Sequence, residues 1–331
     1  MFNPDQKIVR ILFRSPGGLG ALAVQPFFRI RTNRWWVYQR ERFPIVGHGL
    51  LIAAFSFSAV SFSSVLRGRV APPELASLIA AFASAFLFFL QLRIADEFKD
   101  HEEDARCRPY RPVPRGLVSL PELGTVGVAA ALVQLGLGLW LGSALAVLLL
   151  PVWAYLGLMS KEFFARDWLK ARPFTYMWTH MLIMPLIDLY STACDWWTAA
   201  GVAPPGLAWF LVVSFFNGMV IEIGRKIRAP QDEEPGVETY TAVWGRRKAV
   251  LAWLGSLLLT GASAVLAASL IGLAASMAAV LAALLGLAAA VGWSFLRRPV
   301  TARARLFEPM SGAWTLVVYL GLGGLPLLMR A

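Results

Sequence analysis

Charge is scarce in this chain. Asp, Glu, Lys and Arg make up 15% of its 331 residues, where a soluble globular domain carries about 25%. That leaves too little polar surface for the soluble domains its length would otherwise suggest, and it excludes a disordered chain. Cysteine is nearly absent as well. Cys107 and Cys194 are the only two, too few for a disulfide framework, and each reads as an ordinary small residue. A cleavable signal peptide is also missing. The first 44 residues are basic and broken by Pro4, Pro16, Pro26 and Pro44. The apolar run 18–28 is too short to cross a bilayer and lacks a small-residue cleavage pattern. Between Arg14 and Arg29 it suits a surface-lying segment or a disordered tail.

What fills the chain instead is apolar: 57% of its residues are hydrophobic and the mean hydropathy is +0.60. A helix crossing the hydrocarbon core needs about 20 mostly apolar residues. Nine such stretches occur, at about 45–66, 74–95, 121–140, 143–160, 173–192, 204–224, 249–270, 272–294 and 310–329. The expected fold is therefore an all-α polytopic membrane protein. A basic cytoplasmic segment, 1–44, precedes a domain, 45–331, of nine transmembrane helices around a central cavity. The seventh and eighth spans should form a hairpin, and alanine- and glycine-rich spans should pack closely.

The net charge of +11 follows from topology. Eight Lys and Arg lie in the first 44 residues, and five, four, six and four lie in loops 2–3, 4–5, 6–7 and 8–9. Under the positive-inside rule this places the N-terminus and those loops in the cytoplasm and the C-terminus outside, in a cell (inner) membrane. The basic residues then face anionic lipid headgroups, and nucleic acid is not needed as a partner.

Half of the twenty acidic residues fall in two of these loops. Asp96, Glu97, Asp100, Glu102, Glu103 and Asp104 open loop 2–3, and Asp232, Glu233, Glu234 and Glu238 lie in loop 6–7. Six carboxylates this close repel unless cations neutralise them. At about 100° per residue, Asp96, Glu97, Asp100 and Asp104 share one helix face within about 100°, with Arg93 among them. Such carboxylates are hard oxygen ligands that suit Mg²⁺, which binds through one or two carboxylates plus substrate phosphates. The turn Arg111-Pro112-Val113-Pro114-Arg115-Gly116 adds two guanidiniums able to grip phosphate. The plainer alternative is a solvated helix end whose acids pair with Arg106, Arg108, Arg111 and Arg115.

These residues resemble the UbiA superfamily of intramembrane prenyltransferases, whose second helix ends in Asn-Asp-x-x-Asp-x-x-x-Asp followed by an Arg-Pro-x-Pro-x-Gly turn. Here the motif reads Asp96-Glu97-Phe98-Lys99-Asp100-His101-Glu102-Glu103-Asp104, with Asp for Asn and Glu for Asp. A Tyr-to-Lys element after the fourth helix is similar to Tyr155 through Lys161. Loop 6–7 departs from the family's Asp-x-x-x-Asp. Anchored on Gly236, the second Asp is Asp232 but the first position holds Arg228, within the basic run Arg225-Lys226-Ile227-Arg228.

The resemblance implies a Mg²⁺-dependent transferase that ionises a polyprenyl diphosphate, or a related lipid phosphate donor, and alkylates a hydrophobic acceptor. It assigns Asp96, Glu97, Asp100, Asp104 and Asp232 to the metal. Asp100, Asp104 and Lys161 would act in catalysis, and Arg93, Arg111 and Arg115 would bind substrate. The departure in loop 6–7 adds Arg225, Lys226 and Arg228 as substrate contacts, and Asn217 is added by its polar position near the end of span 6. Loops 2–3 and 6–7 should meet. The superfamily also implies two alternatives, phosphoribosyl transfer onto a polyprenyl phosphate and terpene cyclisation; a transporter or structural membrane protein stands behind these. Intramembrane ionisable groups face a cavity as a rule. Glu222 and Asn217 are expected to line the site, Asp188 to pair with a neighbouring helix, and His48 and His180 to satisfy local hydrogen bonds.

Overall fold

The computed structural model describes residues 33–69 and 71–329; the expected surface-lying run at 18–28 falls outside them. These residues contain helices and no strand. In chain order they are α1 (Arg34–Arg42), α2 (Ile45–Leu66), α3 (Leu75–Lys99), α4 (His101–Cys107), α5 (Leu120–Leu141) and α6 (Ser143–Ser160). Then come α7 (Arg166–Lys170), α8 (Pro173–Met181), α9 (Ile183–Ala200), α10 (Leu207–Arg225), α11 (Tyr240–Trp244) and α12 (Arg246–Ser269). The last are α13 (Ala274–Arg297), α14 (Thr301–Ala304), α15 (Phe307–Tyr319) and α16 (Leu325–Leu328), the final two joined by a π-helical stretch.

Among the described residues eight helices are long and apolar enough to cross a membrane: α2, α3, α5, α6, α10, α12, α13 and the composite running from α14 to α16. This is the pattern of a multi-pass membrane protein. The fifth expected span is occupied by α8 and α9, a helix broken at Leu182. The break has a cause in the sequence, because Pro185 has no N–H to give the carbonyl four residues back, at Met181. The expected hairpin of the seventh and eighth spans is α12 and α13, turning through Gly272 at φ +76°.

The long helices pack in chain order into a ring, α2 on α3, α3 on α5, α5 on α6, α6 on α9, α9 on α10, α10 on α12, α12 on α13 and α13 on α15, which returns to α2. Across the ring α9 also packs on α2 and α3, and α10 on α15. The interior favours small side chains (Ala59, Ala81, Ala85, Ala264, Ala267) with aromatic fillers such as Phe62 and Phe210, whose rings stack at 5.1 Å. Large apolar side chains such as Leu132, Trp140, Leu150, Leu258 and Leu287 point outward and are exposed. This distribution fits a lipid solvent, in which close packing rather than water exclusion holds helices together. At one end Arg67 pairs with Asp195 at 2.6 Å, where Ser63 also donates to that carboxylate at 2.7 Å, tying α2 to α9. The acidic loops gather at the other end.

Candidate active site

The site begins at the last turn of α3. Helical hydrogen bonding carries through Asp100 into α4, Asp100 N–H donating to the Asp96 carbonyl and Asp104 N–H to that of Asp100. The expected face of four carboxylates nevertheless divides. Glu97 is buried and turned to Arg42 of α1. Asp104 is buried between Arg108 at 2.7 Å and Arg111 at 2.5 Å. Both were expected as metal ligands; each is ion-paired within the fold. Asp96 lies 3.5 Å from both Arg93 and Lys99. The carboxylate of Asp100 makes no hydrogen bond or ion pair among the described residues. Burial pushes its carboxyl up, the Lys99 ammonium opposes this, and the charges of Asp96, Asp104 and Glu103 add to it.

The Arg-Pro turn is shaped by its prolines and by Gly116 at φ +75°, a left-handed position that suits glycine. Val113 and Val118 bury against Tyr38, Ile94 and Leu123. Arg111, expected to hold phosphate, is spent on Asp104. Arg115, given the same role, reaches Glu41 of α1 at 2.9 Å and the Tyr110 carbonyl at 2.8 Å.

At the C-terminal end of α10, Glu222 is held by Arg225 at 2.7 Å and Lys226 at 2.8 Å. Lys226 also lies over the ring of Tyr240, 5.5 Å from its centroid. Burial, then the nearby Glu222 charge, raises the Tyr240 hydroxyl. Loop 6–7 folds on its own threonines. Thr239 and Thr241 donate to Glu233 at 2.6 and 2.7 Å, and Thr239 caps α11. Asp232, expected to bind metal, accepts from Thr301 of α14 at 2.9 Å. Its cleft, of about 390 Å³, also contains Arg228, Arg305 and Glu308. The guanidinium of Arg228 makes no ion pair there among the described residues.

The two loops do meet. Tyr110 donates to Glu234 at 2.9 Å, and Gly236, at φ +78°, lies so close to α4 that a Cβ on it would sit 2.7 Å from the Cys107 sulfur. The contact is made by a tyrosine and a glycine rather than by shared metal carboxylates.

Asn217 is buried, accepting from Thr315 of α15 at 3.2 Å. Lys161 is exposed, and its neighbour Glu162 is the buried residue. The backbone explains the exchange. Glu162, Phe163 and Phe164 are all left-handed, at φ 48°, 52° and 57°, each costing about 1–2 kcal/mol for an L-residue. Glu162 there accepts from Tyr176 of α8 at 3.2 Å, and Tyr176 accepts from Lys99 at 2.9 Å. His180 stacks on Tyr176 at 4.0 Å and bonds its backbone carbonyl at 2.8 Å, and His48 bonds the Pro44 carbonyl. Asp188 pairs with Tyr319 of α15 at 3.2 Å. Sequence reading did not bring out the hydrogen-bond chain of Lys99, Tyr176 and Glu162 beside the cluster. Their separation along the chain and the absence of glycine or asparagine in the left-handed turn left no local signal.

Among the described residues no three His, Cys, Asp or Glu side chains gather in metal-binding arrangement. Asp96 and Asp100, one turn apart, fit a single Mg²⁺ completed by phosphate oxygens. The second-motif residues do not fit a second ion, because Asp232 is engaged by Thr301 and Arg228 is a cation.

Comparison with known proteins bears on this cluster. The family model described as the UbiA prenyltransferase family matches residues 50–317. A solved apo structure of a UbiA homologue from Aeropyrum pernix K1 is 17% identical with a TM-score of 0.60, over 84% of this chain and 97% of that one. A structure of digeranylgeranylglyceryl phosphate synthase is 14% identical with a TM-score of 0.55, over 89% and 99%. A UbiA homologue from Archaeoglobus fulgidus bound to DMAPP and Mg²⁺ is 12% identical with a TM-score of 0.54, over 88% and 99%. At such identities these likenesses show the fold alone. No curated protein matches the sequence.

Proposed function

The chain belongs to the UbiA prenyltransferase family, and we propose that it ionises a polyprenyl diphosphate at the α3–α10 cluster and transfers the prenyl group to a hydrophobic acceptor. The observation that carries this reading is the pair Asp96 and Asp100 at the inner end of α3, ringed by Arg93 and Lys99. Asp96 also feels the charges of Glu222 and Arg225 across on α10. The A. fulgidus homologue bound to DMAPP and Mg²⁺ supports the same donor class. When bound at Asp96 and Asp100, Mg²⁺ would neutralise the leaving diphosphate as the C–O bond breaks.

The protein's own groups do the rest. Arg93, whose buried Nε has no hydrogen-bond partner, and Arg228 would bind phosphate oxygens, Arg228 at the position where the family carries a metal-binding Asp. The basic loops support a cytoplasmic site in the cell membrane, with the C-terminus on the opposite side. A second reading rests on the same basic run: a guanidinium in place of a second metal suits another phosphorylated donor, such as a phosphoribosyl diphosphate.

The test uses purified protein in lipid nanodiscs with geranyl diphosphate, reading diphosphate release with Mg²⁺ and with EDTA. Asp96→Ala and Asp100→Ala should each lower release about 100-fold or more, the scale of losing a group that stabilises transition-state charge. Undiminished release in folded variants, or none from the wild type, would sink the proposal.

A further inference from the structure

Glu162 is a buried carboxylate that donor ionisation leaves unused. Only 2% of it is exposed, and the left-handed run that turns it inward contains no glycine to relieve it. Its Oε1 accepts from the Tyr176 hydroxyl, while its Oε2 is buried without a hydrogen bond. The Arg166 guanidinium is 3.4 Å away and half exposed, so it compensates the charge weakly. Apart from Asp100, which the reading above gives to the metal, the other site carboxylates face cations: Asp96 and Glu222 each lie between two, Asp104 between two arginines, and Glu97 on Arg42. A carboxylate between cations is a poor base, because its charged form is already stabilised.

The hydrogen bonds around Glu162 have a direction. Lys99, 3.5 Å from Asp96, donates to the Tyr176 oxygen, and Tyr176 donates to Glu162. The Tyr176 ring is fixed by its stack on His180. The tyrosine oxygen keeps one lone pair free, and the half-buried ring leaves it within reach of the cluster where the donor would ionise.

We propose that Tyr176 and Glu162 form the proton exit for the acceptor, which is then a nucleophile with a transferable proton such as a hydroxyl or phenol. The inference rests on the prenyl-transfer reading above. The donor's C1–O bond breaks first and the diphosphate leaves with the electron pair; the acceptor oxygen then bonds to C1 of the prenyl group. The acceptor proton passes to the Tyr176 oxygen, and the proton of Tyr176 passes to Glu162. Nothing is oxidised or reduced, and Glu162 later loses the proton to water. Lys99 holds the tyrosine oxygen in place, and the left-handed turn holds the carboxylate beneath it.

The experiment separates ionisation from transfer. Wild type, Glu162→Gln, Tyr176→Phe and Glu162→Asp are compared with radiolabelled geranyl diphosphate in vesicles of total host lipid extract, and labelled lipid is counted against diphosphate released. Both non-basic variants keep the shape of the residue they replace. Their ratio of labelled lipid to diphosphate should fall at least tenfold while diphosphate release stays within about twofold of wild type, and Glu162→Asp should recover part of the ratio. An unchanged ratio in Glu162→Gln and Tyr176→Phe overturns the proposal, as does a wild type that releases diphosphate without labelling any lipid. A wild type that releases no diphosphate refutes instead the prenyl-transfer reading on which it rests.

Discussion

The pairing of Glu97 with Arg42 makes a sharp demand, because Glu97 stands in a motif where a metal ligand was expected. The side chains of Arg42 and Glu97 are 10% and 1% exposed. Removing one partner of a buried pair strands the other charge and costs about 3–5 kcal/mol; the slight exposure of Arg42 argues for the lower end. At about 2 °C per kcal/mol for a chain of this size, Arg42→Ala should lower the melting temperature by roughly 6 °C. Replacing both partners, as Arg42→Met with Glu97→Leu, should recover most of that loss, since an apolar pair of similar volume is often neutral. α1 stays docked in either variant through Arg34–Glu122 at 2.6 Å and Glu41–Arg115 at 2.9 Å. Unfolding can be followed through Cys194, which is fully buried, with a thiol-reactive dye in a Cys107→Ser background. The double variant should also retain Mg²⁺-dependent diphosphate release within a few-fold, because Asp96 and Asp100 are untouched. A folded double variant that has lost metal-dependent release would refute the reasoning and return Glu97 to the metal. So would an Arg42→Ala protein as stable as wild type.

The helix pattern was legible in the sequence because lipid imposes a length and a polarity on each span. Loop charge likewise pointed to one end as the reactive one, and loops 2–3 and 6–7 do meet there. What the helix wheel could not supply was the identity of the opposite partner. It put Asp96, Glu97, Asp100 and Asp104 on one face, yet in the fold they part: Glu97 meets Arg42, Asp104 meets Arg108 and Arg111, and Asp96 meets Arg93 and Lys99. The spacing of Asp232 from Gly236 matched the family, but Thr301, 69 residues away, decides where its carboxylate points. That Glu162 rather than Lys161 is buried follows from backbone handedness, which no residue type in that turn announces. The split fifth span was readable in principle from Pro185.

Three further outcomes follow from the geometry. Arg228→Ala should weaken binding of geranyl diphosphate about tenfold or more, the loss of one charge-assisted contact, as measured by isothermal titration; unchanged affinity would leave the charge of loop 6–7 to topology alone. Gly236→Ala, with its φ of +78° and a Cβ 2.7 Å from the Cys107 sulfur, should cost at least the 1–2 kcal/mol of a left-handed alanine, and an unaltered melting temperature would deny that the two loops are in contact. The last concerns Asp100, whose carboxyl is pushed up chiefly by burial. A carboxyl with a folded pKa above its unfolded value holds its proton more tightly when folded. Its stabilising contribution is complete below the unfolded pKa and is lost as pH rises through the folded one. Without metal, Asp100→Asn, which mimics the protonated form, should therefore be more stable than wild type at pH 8. That advantage should shrink as pH falls through the Asp100 folded pKa. Mg²⁺ competes for the same oxygens, so it should stabilise wild type at pH 8 and lose its effect in step with that protonation, at a higher pH than an ordinary carboxylate would give. Asp100→Asn should show neither the metal stabilisation nor its pH dependence. Melting curves of the two proteins between pH 4 and 8, with and without Mg²⁺, decide the matter: an Asp100→Asn protein less stable than metal-free wild type at pH 8 would mean that the ionised carboxylate is held by a partner, and Asp100 would not be waiting for a metal.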